Sequence, residues 1–338
     1  MLRLTEFLGM VVFFALAARF SDGQSAGSVA KGLLLVANKN DGTLGIIDPQ
    51  SGRTLGAVAE GGVTGHEVIA SPDGRFAYVP IYGNSGVGKA GSDGANLVVI
   101  DIAARKVTGN LDFGHGVRPH CPLFGPKDGL LYVTTELENA IAVIDPRTLK
   151  VVGAVPTGQK ESHMLAITRD GRRGYTANVG PGTVSVLDLV ARKTLAVIPI
   201  SGQTQRISLS VDDRLAFTSD QTKPRLAVID TAANKVKQWV SLPGLGYGTA
   251  ATGDGRYLLV AVPAVNQVAV VDLGSMQVAR TLDVPRAPQE VLIAPDSRTA
   301  YVSCDASHQV AQIGLADWKV KLIDAGKGAD GLAWAAMN

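Results

Sequence analysis

The sequence predicts an all-β fold, a seven-bladed β-propeller of four-stranded antiparallel blades, and three observations carry that prediction. One phrase returns seven times, as GIIDPQSGRT, VVIDIAARKV, AVIDPRTLKV, SVLDLVARKT, AVIDTAANKV, AVVDLGSMQV and AQIGLADWKV. Its aspartates, Asp48, Asp101, Asp145, Asp188, Asp230 and Asp272, with Gly314 in the seventh place, are spaced by 53, 44, 43, 42, 42 and 42 residues. A period near 42 made of short Val-, Ile- and Tyr-rich runs is the length of four strands and their turns, one blade.

Residues 1–30 stand apart from the repeats. Arg3 precedes an apolar stretch from Phe7 to Ala18, and small and polar residues follow from Ser21 to Ala30. The pattern is that of a secretory signal peptide, too short for a stable membrane anchor, or else of a disordered N-terminal segment. It predicts a periplasmic or secreted protein with no transmembrane domain after signal removal.

The propeller then occupies residues 31–338. In the second unit HEVIAS reads as the inner strand, PDGR as a turn, FAYVPI and NLVVID as the next two strands, and VTGNLDF as the outermost. The repeated Asp ends the third strand, where its carboxylate can accept from backbone N–H groups two residues on. GLLLVANKN near the start matches a second strand, and GADGLAWAAMN at the end matches an inner one. The C-terminal segment therefore completes the first blade, which leaves no open sheet edge in the ring.

Composition narrows the function classes. With 46% hydrophobic and 18% charged residues the chain can bury a large core. A net charge of +2 without runs of like charge argues against nucleic acid as a partner. Cys121 and Cys304 fall in the third and seventh units, too far apart to bridge. There is no CxxCH for a c-type haem, no phosphate-binding glycine motif and no GxSxG.

YVTT at 132–135, YTAN at 175–178, YVSC at 301–304 and the VIDxxxxKV phrases resemble the YVTN-repeat β-propellers of bacteria, related to the haem d1 domain-like propellers. The likeness covers nearly all of residues 31–338. It implies a seven-bladed propeller, commonly exported. It does not imply one activity, because such families include lactonases, surface proteins, dehydrogenase subunits and a DNA binder.

The functional signal is a ring of side chains. His66, His163, Arg206, Tyr247 and Gln289 each lie seven residues before the aspartate of an inner-strand turn, at Asp73, Asp170, Asp213, Asp254 and Asp296. His120 lies eight before Asp128, and Asp330 takes the place in the shared blade. Inner strands start at the mouth of the central channel, so these seven residues should face one another. Loops on the same face bring Arg118, Glu136, Glu161, Lys223 and Arg225. A longer one in the second blade, IYGNSGVGKAGSDGAN, carries Tyr82 and accounts for most of the 53-residue gap.

Two chemistries suit three histidines. As metal ligands, His66, His120 and His163 would hold one divalent transition metal with an open position for water or substrate. As acid and base groups they would move protons while Arg206 steadies an oxyanion. The expectation is a small anionic ligand at the mouth, with lactone hydrolysis or an isomerisation as the enzyme reading, His66, His120, His163 and Arg206 catalytic, and Arg118, Glu136, Glu161, Tyr82, Tyr247, Gln289 and Asp330 binding. The alternative is a non-catalytic binding or scaffold protein of the cell envelope, with a protein partner.

Overall fold

In the computed structural model, which describes residues 31–84 and 86–337, seven four-stranded antiparallel sheets stand in a ring. Residues 1–30, and the signal peptide expected there, lie outside the described residues. No helix among the described residues is long and apolar enough to cross a membrane.

Blades 2 to 7 are consecutive: their inner strands begin with Ile69–Ala70, Pro119–Phe124, Ser162–Ile167, Ser208–Leu209, Thr249–Ala251 and Pro288–Ile293. Blade 1 is shared between the two ends of the propeller. Ala329–Ala336 forms its inner strand and pairs antiparallel with Gly32–Asn38, from Gly32 opposite Ala336 to Asn38 opposite Ala329. The predicted closure is therefore built of ordinary ladder hydrogen bonds.

The repeated aspartates do what their position predicts. Asp48 accepts from the N–H of Gln50 at 3.0 Å, Asp145 from Arg147 at 2.9 Å, Asp230 from Ala232 at 2.9 Å and Asp272 from Gly274 at 3.0 Å. Each pins the turn into the outermost strand. Second and third strands are almost wholly buried and outermost strands largely exposed: every residue of Leu131–Thr135 is buried, whereas in Lys150–Pro156 only Val155 is. The core is consequently a circle of apolar clusters between neighbouring blades: Ala77, Val79 and Ile100 pack on Leu35 and Ile46, and Leu258 and Val260 pack on Phe217 and Val228. Burial of this kind stabilises by roughly 25 cal/mol per Å² of apolar surface, so the ring gains most where blade meets blade.

Two strand boundaries differ from expectation. The inner strand of blade 2 is reduced to Ile69–Ala70 plus an isolated bridge from Gly65 to Ile81. The third strand of that blade starts early, at Asp93, so the glycine-rich insertion ends in ladder pairing instead of hanging free.

Candidate functional site

Backbone geometry aims the inner-strand residues at the channel. Two residues ahead of each mouth position in five blades the chain turns through left-handed φ: Thr64 at 48°, Arg118 at 50°, Glu161 at 54°, Ala287 at 56° and Gly328 at 71°. Four of these are not glycine, a conformation that persists only where its surroundings impose it. The ladder register then slips by one residue, between Pro119 and Pro122, Ser162 and Met164, and Pro288 and Val291. Such bulges re-aim side chains, so two successive residues can face the channel.

One arc of the ring, from blades 2 to 4, is aromatic. His120 and His163 stack with ring centroids 3.6 Å apart and planes tilted by 31°. His66 lies 5.5 Å from His120, and Tyr82 packs 5.0, 5.3 and 6.0 Å from His66, His120 and His163. The Tyr82 hydroxyl donates to Glu136 Oε2, and His163 Nδ1 is 3.9 Å from that oxygen. Glu136 Oε1 receives Arg118 Nη1 at 3.2 Å and the Gly88 N–H at 3.1 Å. Arg118 also reaches Asp93 at 2.7 Å and the Lys89 carbonyl at 2.7 Å, which draws the blade 2 insertion over the mouth. Glu161 Oε2 accepts from the Gly180 N–H at 2.7 Å. Above this arc is a cavity of about 310 Å³ lined by Gly88, Lys89, Arg118, Glu136, Lys160 and Glu161, among others.

The opposite arc is ionic. Arg206 Nη2 lies 2.8 Å from Glu67 Oε1, out of line for a hydrogen bond, and 3.1 Å from Asp330 Oδ1, while Nη1 is 3.2 Å from Glu290 Oε2. Lys39 joins from blade 1, 3.2 Å from Asp330 and 2.9 Å from Asp305. The Arg206 guanidinium sits 4.9 Å from the Tyr247 ring centroid, and the Tyr247 hydroxyl accepts from Gln205 at 2.7 Å. Burial pushes the Glu67 carboxyl well above the usual carboxylate range, and the hydrogen bond from its neighbour Glu290 pushes it the same way against the pull of Arg206. Burial works against the charge of Arg206, but the surrounding carboxylates outweigh it and hold the guanidinium charged.

Arg206 does not occupy the histidine register. The blade 5 turn is closed by Asp212, whose Oδ1 accepts from Ser210 at 2.6 Å, as Asp170 does from Thr168 at 2.6 Å. Gln205 is therefore the counterpart of His66 and His163, and Arg206 the counterpart of Glu67 and Glu290. Its charge faces three carboxylates, which leaves little of it for an oxyanion. Glu67 and Glu290 were missed because strict alternation turns the residue after a ring position away; the bulges remove that alternation. The signal was present in the pairs His66-Glu67 and Gln289-Glu290.

His120 and His163 are 2% and 4% exposed to solvent and His66 is half-buried, and burial is the first cause that lowers all three imidazoles below the ordinary histidine range, well below for His120 and His163. The Nδ1 atoms of His120 and His163 are buried without a hydrogen-bond partner among the described residues. Stacked rings direct their in-plane lone pairs side by side, not at a shared point. Among the described residues no group of three or more His, Cys, Asp or Glu side chains has the arrangement to hold a metal ion.

Other expected residues have structural partners. Arg225 is paired with Asp220 at 2.8 Å and lies 3.7 Å from the Trp239 ring centroid. Gln289 reaches the Ala287 carbonyl at 3.4 Å. Cys121 and Cys304 are both free and buried.

A family model described as Cytochrome D1 heme domain matches residues 124–327. The chain is 26% identical over 171 residues to the 6-phosphogluconolactonase of Bacillus subtilis (strain 168), covering 46% of this chain and 49% of that protein. It thus spans about half the length of that curated relative. Among solved structures, Kuenenia stuttgartiensis hydrazine synthase superposes with a TM-score of 0.72 at 20% identity, over 84% of this chain and 92% of that one. The dihydro-heme d1 dehydrogenase NirN in complex with DHE superposes with a TM-score of 0.65 at 14% identity, over 90% and 76%. At such identities the superpositions speak for the fold alone. The family match spans more than half of the sequence, and the chain belongs to the cytochrome D1 heme domain family.

Proposed function

We propose that this protein binds a small anionic ligand in the cavity above blades 2 to 4 and hydrolyses a lactone there, after export across a membrane. The observation that carries the reading is the lining of the 310 Å³ cavity: Lys89 and Lys160 face Glu161 over a floor in which Arg118 and Glu136 neutralise each other. Among the described residues neither ammonium group has an ion-pair partner and Glu161 has only the Gly180 N–H, so two positive charges against one negative favour an anion, and the volume suits a sugar-acid lactone. The partial likeness to a 6-phosphogluconolactonase supports a phosphorylated substrate.

In this reading Glu161 takes a proton from water, which adds to the lactone carbonyl carbon. The ammonium groups of Lys89 and Lys160 steady the oxyanion and the phosphate. The acyl carbon–oxygen bond then breaks, the ring oxygen is protonated, and a hydroxy acid leaves. Glu136, engaged by Arg118, Tyr82 and the Gly88 N–H, is a positioning residue. The three imidazoles support the floor from below and do not touch substrate.

The family raises a tetrapyrrole, which needs an open planar slot with a nitrogen donor at its centre. Here four aromatic rings packed 3.6–6.0 Å apart fill that space, and none of the described cavities is lined by His66, His120 or His163. The residues present do not fit the group.

The test is proton release from 6-phospho-δ-gluconolactone and from δ-gluconolactone by the purified protein. The expected result is faster turnover of the phosphorylated lactone, a loss of about 100-fold or more in Glu161→Gln, and a raised KM in Lys89→Ala. Turnover no faster than the spontaneous rate removes the catalytic reading. A mature amino terminus that still carries residues 1–30 removes export. A non-catalytic envelope scaffold is favoured by one other feature, the exposed Val151, Val152, Val190 and Leu195 along the outer edge of blades 3 and 4.

A further inference from the structure

The face away from the mouth is unevenly charged, and we propose that its side under blades 2 to 4 docks on an anionic phospholipid bilayer. Antiparallel order puts two kinds of turn on that face, the one after the inner strand and the one before the outermost. In blades 2 to 4 these read SPDGRF, GPKDGL and TRDGRR at 71–76, 125–130 and 168–173, and DIAARK, DPRTLK and DLVARK at 101–106, 145–150 and 188–193, eleven basic residues against six aspartates. The corresponding turns of blades 5, 6 and 7, with 48–53 of blade 1, hold six against eight.

The positive charges of this arc are open to a partner. Asp101, Asp170 and Asp188 accept from the N–H groups of Ala104, Arg172 and Ala191 at 2.8, 2.9 and 2.8 Å, so these carboxylates are folded into their own turns. Three of the eleven basic groups are ion-paired: Arg75 with Asp101, Arg147 with Asp145 and Arg169 with Asp213. The remaining eight, among them the exposed Arg105, Lys106, Lys127, Lys150, Arg192 and Lys193, have no ion pair among the described residues. Arg173 and Arg192 reach the carbonyls of Thr231 and Val152, which neutralise no charge.

A second feature selects the partner. Beside these groups Val107, Val151, Val152, Val190 and Leu195 are exposed, Val190 by 71%, each in such a turn or in the first three residues of the strand that follows it. At the places of Val190 and Leu195, blade 5 has Ala232 and Lys237, and blade 6 has Gly274 and Ala279. Aliphatic side chains among cations suit a headgroup layer, where phosphates pair with the cations and the aliphatic groups enter the acyl boundary. A nucleic acid would use the cations alone and leave the valines in water. Docked by this side, the protein holds its mouth away from the lipid and open to solutes, whatever the cavity there binds.

The test is co-sedimentation of the full chain with vesicles of phosphatidylcholine alone and of phosphatidylcholine mixed equally with phosphatidylglycerol. Expected is binding to the mixed vesicles that weakens as salt is raised and is much weaker on the neutral ones. Lys106→Gln, Lys150→Gln and Lys193→Gln combined should weaken it about 100-fold, and Val190→Ser with Leu195→Ser about tenfold. Lys235→Gln with Lys327→Gln, outside the arc, should leave it unchanged. The proposal is overturned by no binding to the mixed vesicles, by equal binding to the neutral ones, or by binding that survives the triple lysine variant, as attachment through Phe7–Ala18 would. Unchanged affinity in the Val190→Ser and Leu195→Ser variant also overturns it, and with tighter retention on duplex DNA would make the partner a nucleic acid.

Discussion

The two arcs of the channel mouth are made of the same strands at the same register, yet they are opposite in kind. In the ionic arc Arg206 of blade 5 ties Glu67 of blade 2, Glu290 of blade 7 and Asp330 of blade 1 together across the axis, and of their buried oxygens only Glu67 Oε1 is left without a hydrogen bond among the described residues. In blades 2 to 4 the imidazoles of His120 and His163 stack with buried nitrogens left without a partner among the described residues, beneath a cavity lined by two lysines that have no ion pair among those residues. A charge-paired network holds a fold together. An unsatisfied one destabilises it, and is the half where chemistry is to be sought.

The largest effect that could break this contrast is Arg206→Met. It leaves two buried carboxylates and the half-buried Glu290 without their cation, and stability to urea should fall by about 3–5 kcal/mol. A loss under 1 kcal/mol would mean that the ionic arc holds nothing. Glu136→Gln removes one of the two carboxylates on Arg118, whose other contacts persist, so about 2–3 kcal/mol is expected in the same measurement, with reduced lactone turnover. His120→Phe should act in the other direction, raising stability by about 1 kcal/mol, because a stacked ring is kept and an orphaned nitrogen removed. A destabilisation there would mean that the imidazole has a partner after all.

The smallest effect is in the pH profile. The three ring histidines have folded pKa values below the ordinary 6.5, so the unfolded chain binds their protons first. Their contribution is present above about pH 6.5 and is lost as pH falls. Glu60, whose carboxyl burial raises from 4.5 to about 7, has the reverse sign: its contribution is present below 4.5 and lost as pH rises through about 7. The two trends oppose each other between those values. Glu60→Gln removes the offset, and the melting temperature should then drop more steeply between about pH 6.5 and 5 than in the parent protein. Parallel profiles would exclude a protonated Glu60.

The architecture was legible because it is repeated. Asp48 to Asp272 mark six of the seven third-strand turns, and the shared blade follows from which strand each end of the propeller resembles. The ring residues were legible as a group, and His66, His120, His163 and Tyr247 hold the expected places. What could not be read is who answers whom. Arg206 pairs with residues 84 and 124 positions away, and no local pattern encodes that. The adjacent Asp212 and Asp213 also concealed which of them closes the turn, shifting Arg206 by one. The stacking of His120 on His163 follows from bulges at Pro119–Pro122 and Ser162–Met164, irregularities that strict strand alternation does not anticipate.

The left-handed residues before the ring bear on how this scaffold can be altered. Because Thr64, Arg118, Glu161, Ala287 and Gly328 set direction through the main chain, the identity of the side chain two positions later is free to vary. The mouth is a plate of sockets whose contents can be exchanged without redrawing the plate. An engineer could install a different reactive group at position 66, 163 or 289 and expect it to point inward, and natural drift has the same liberty.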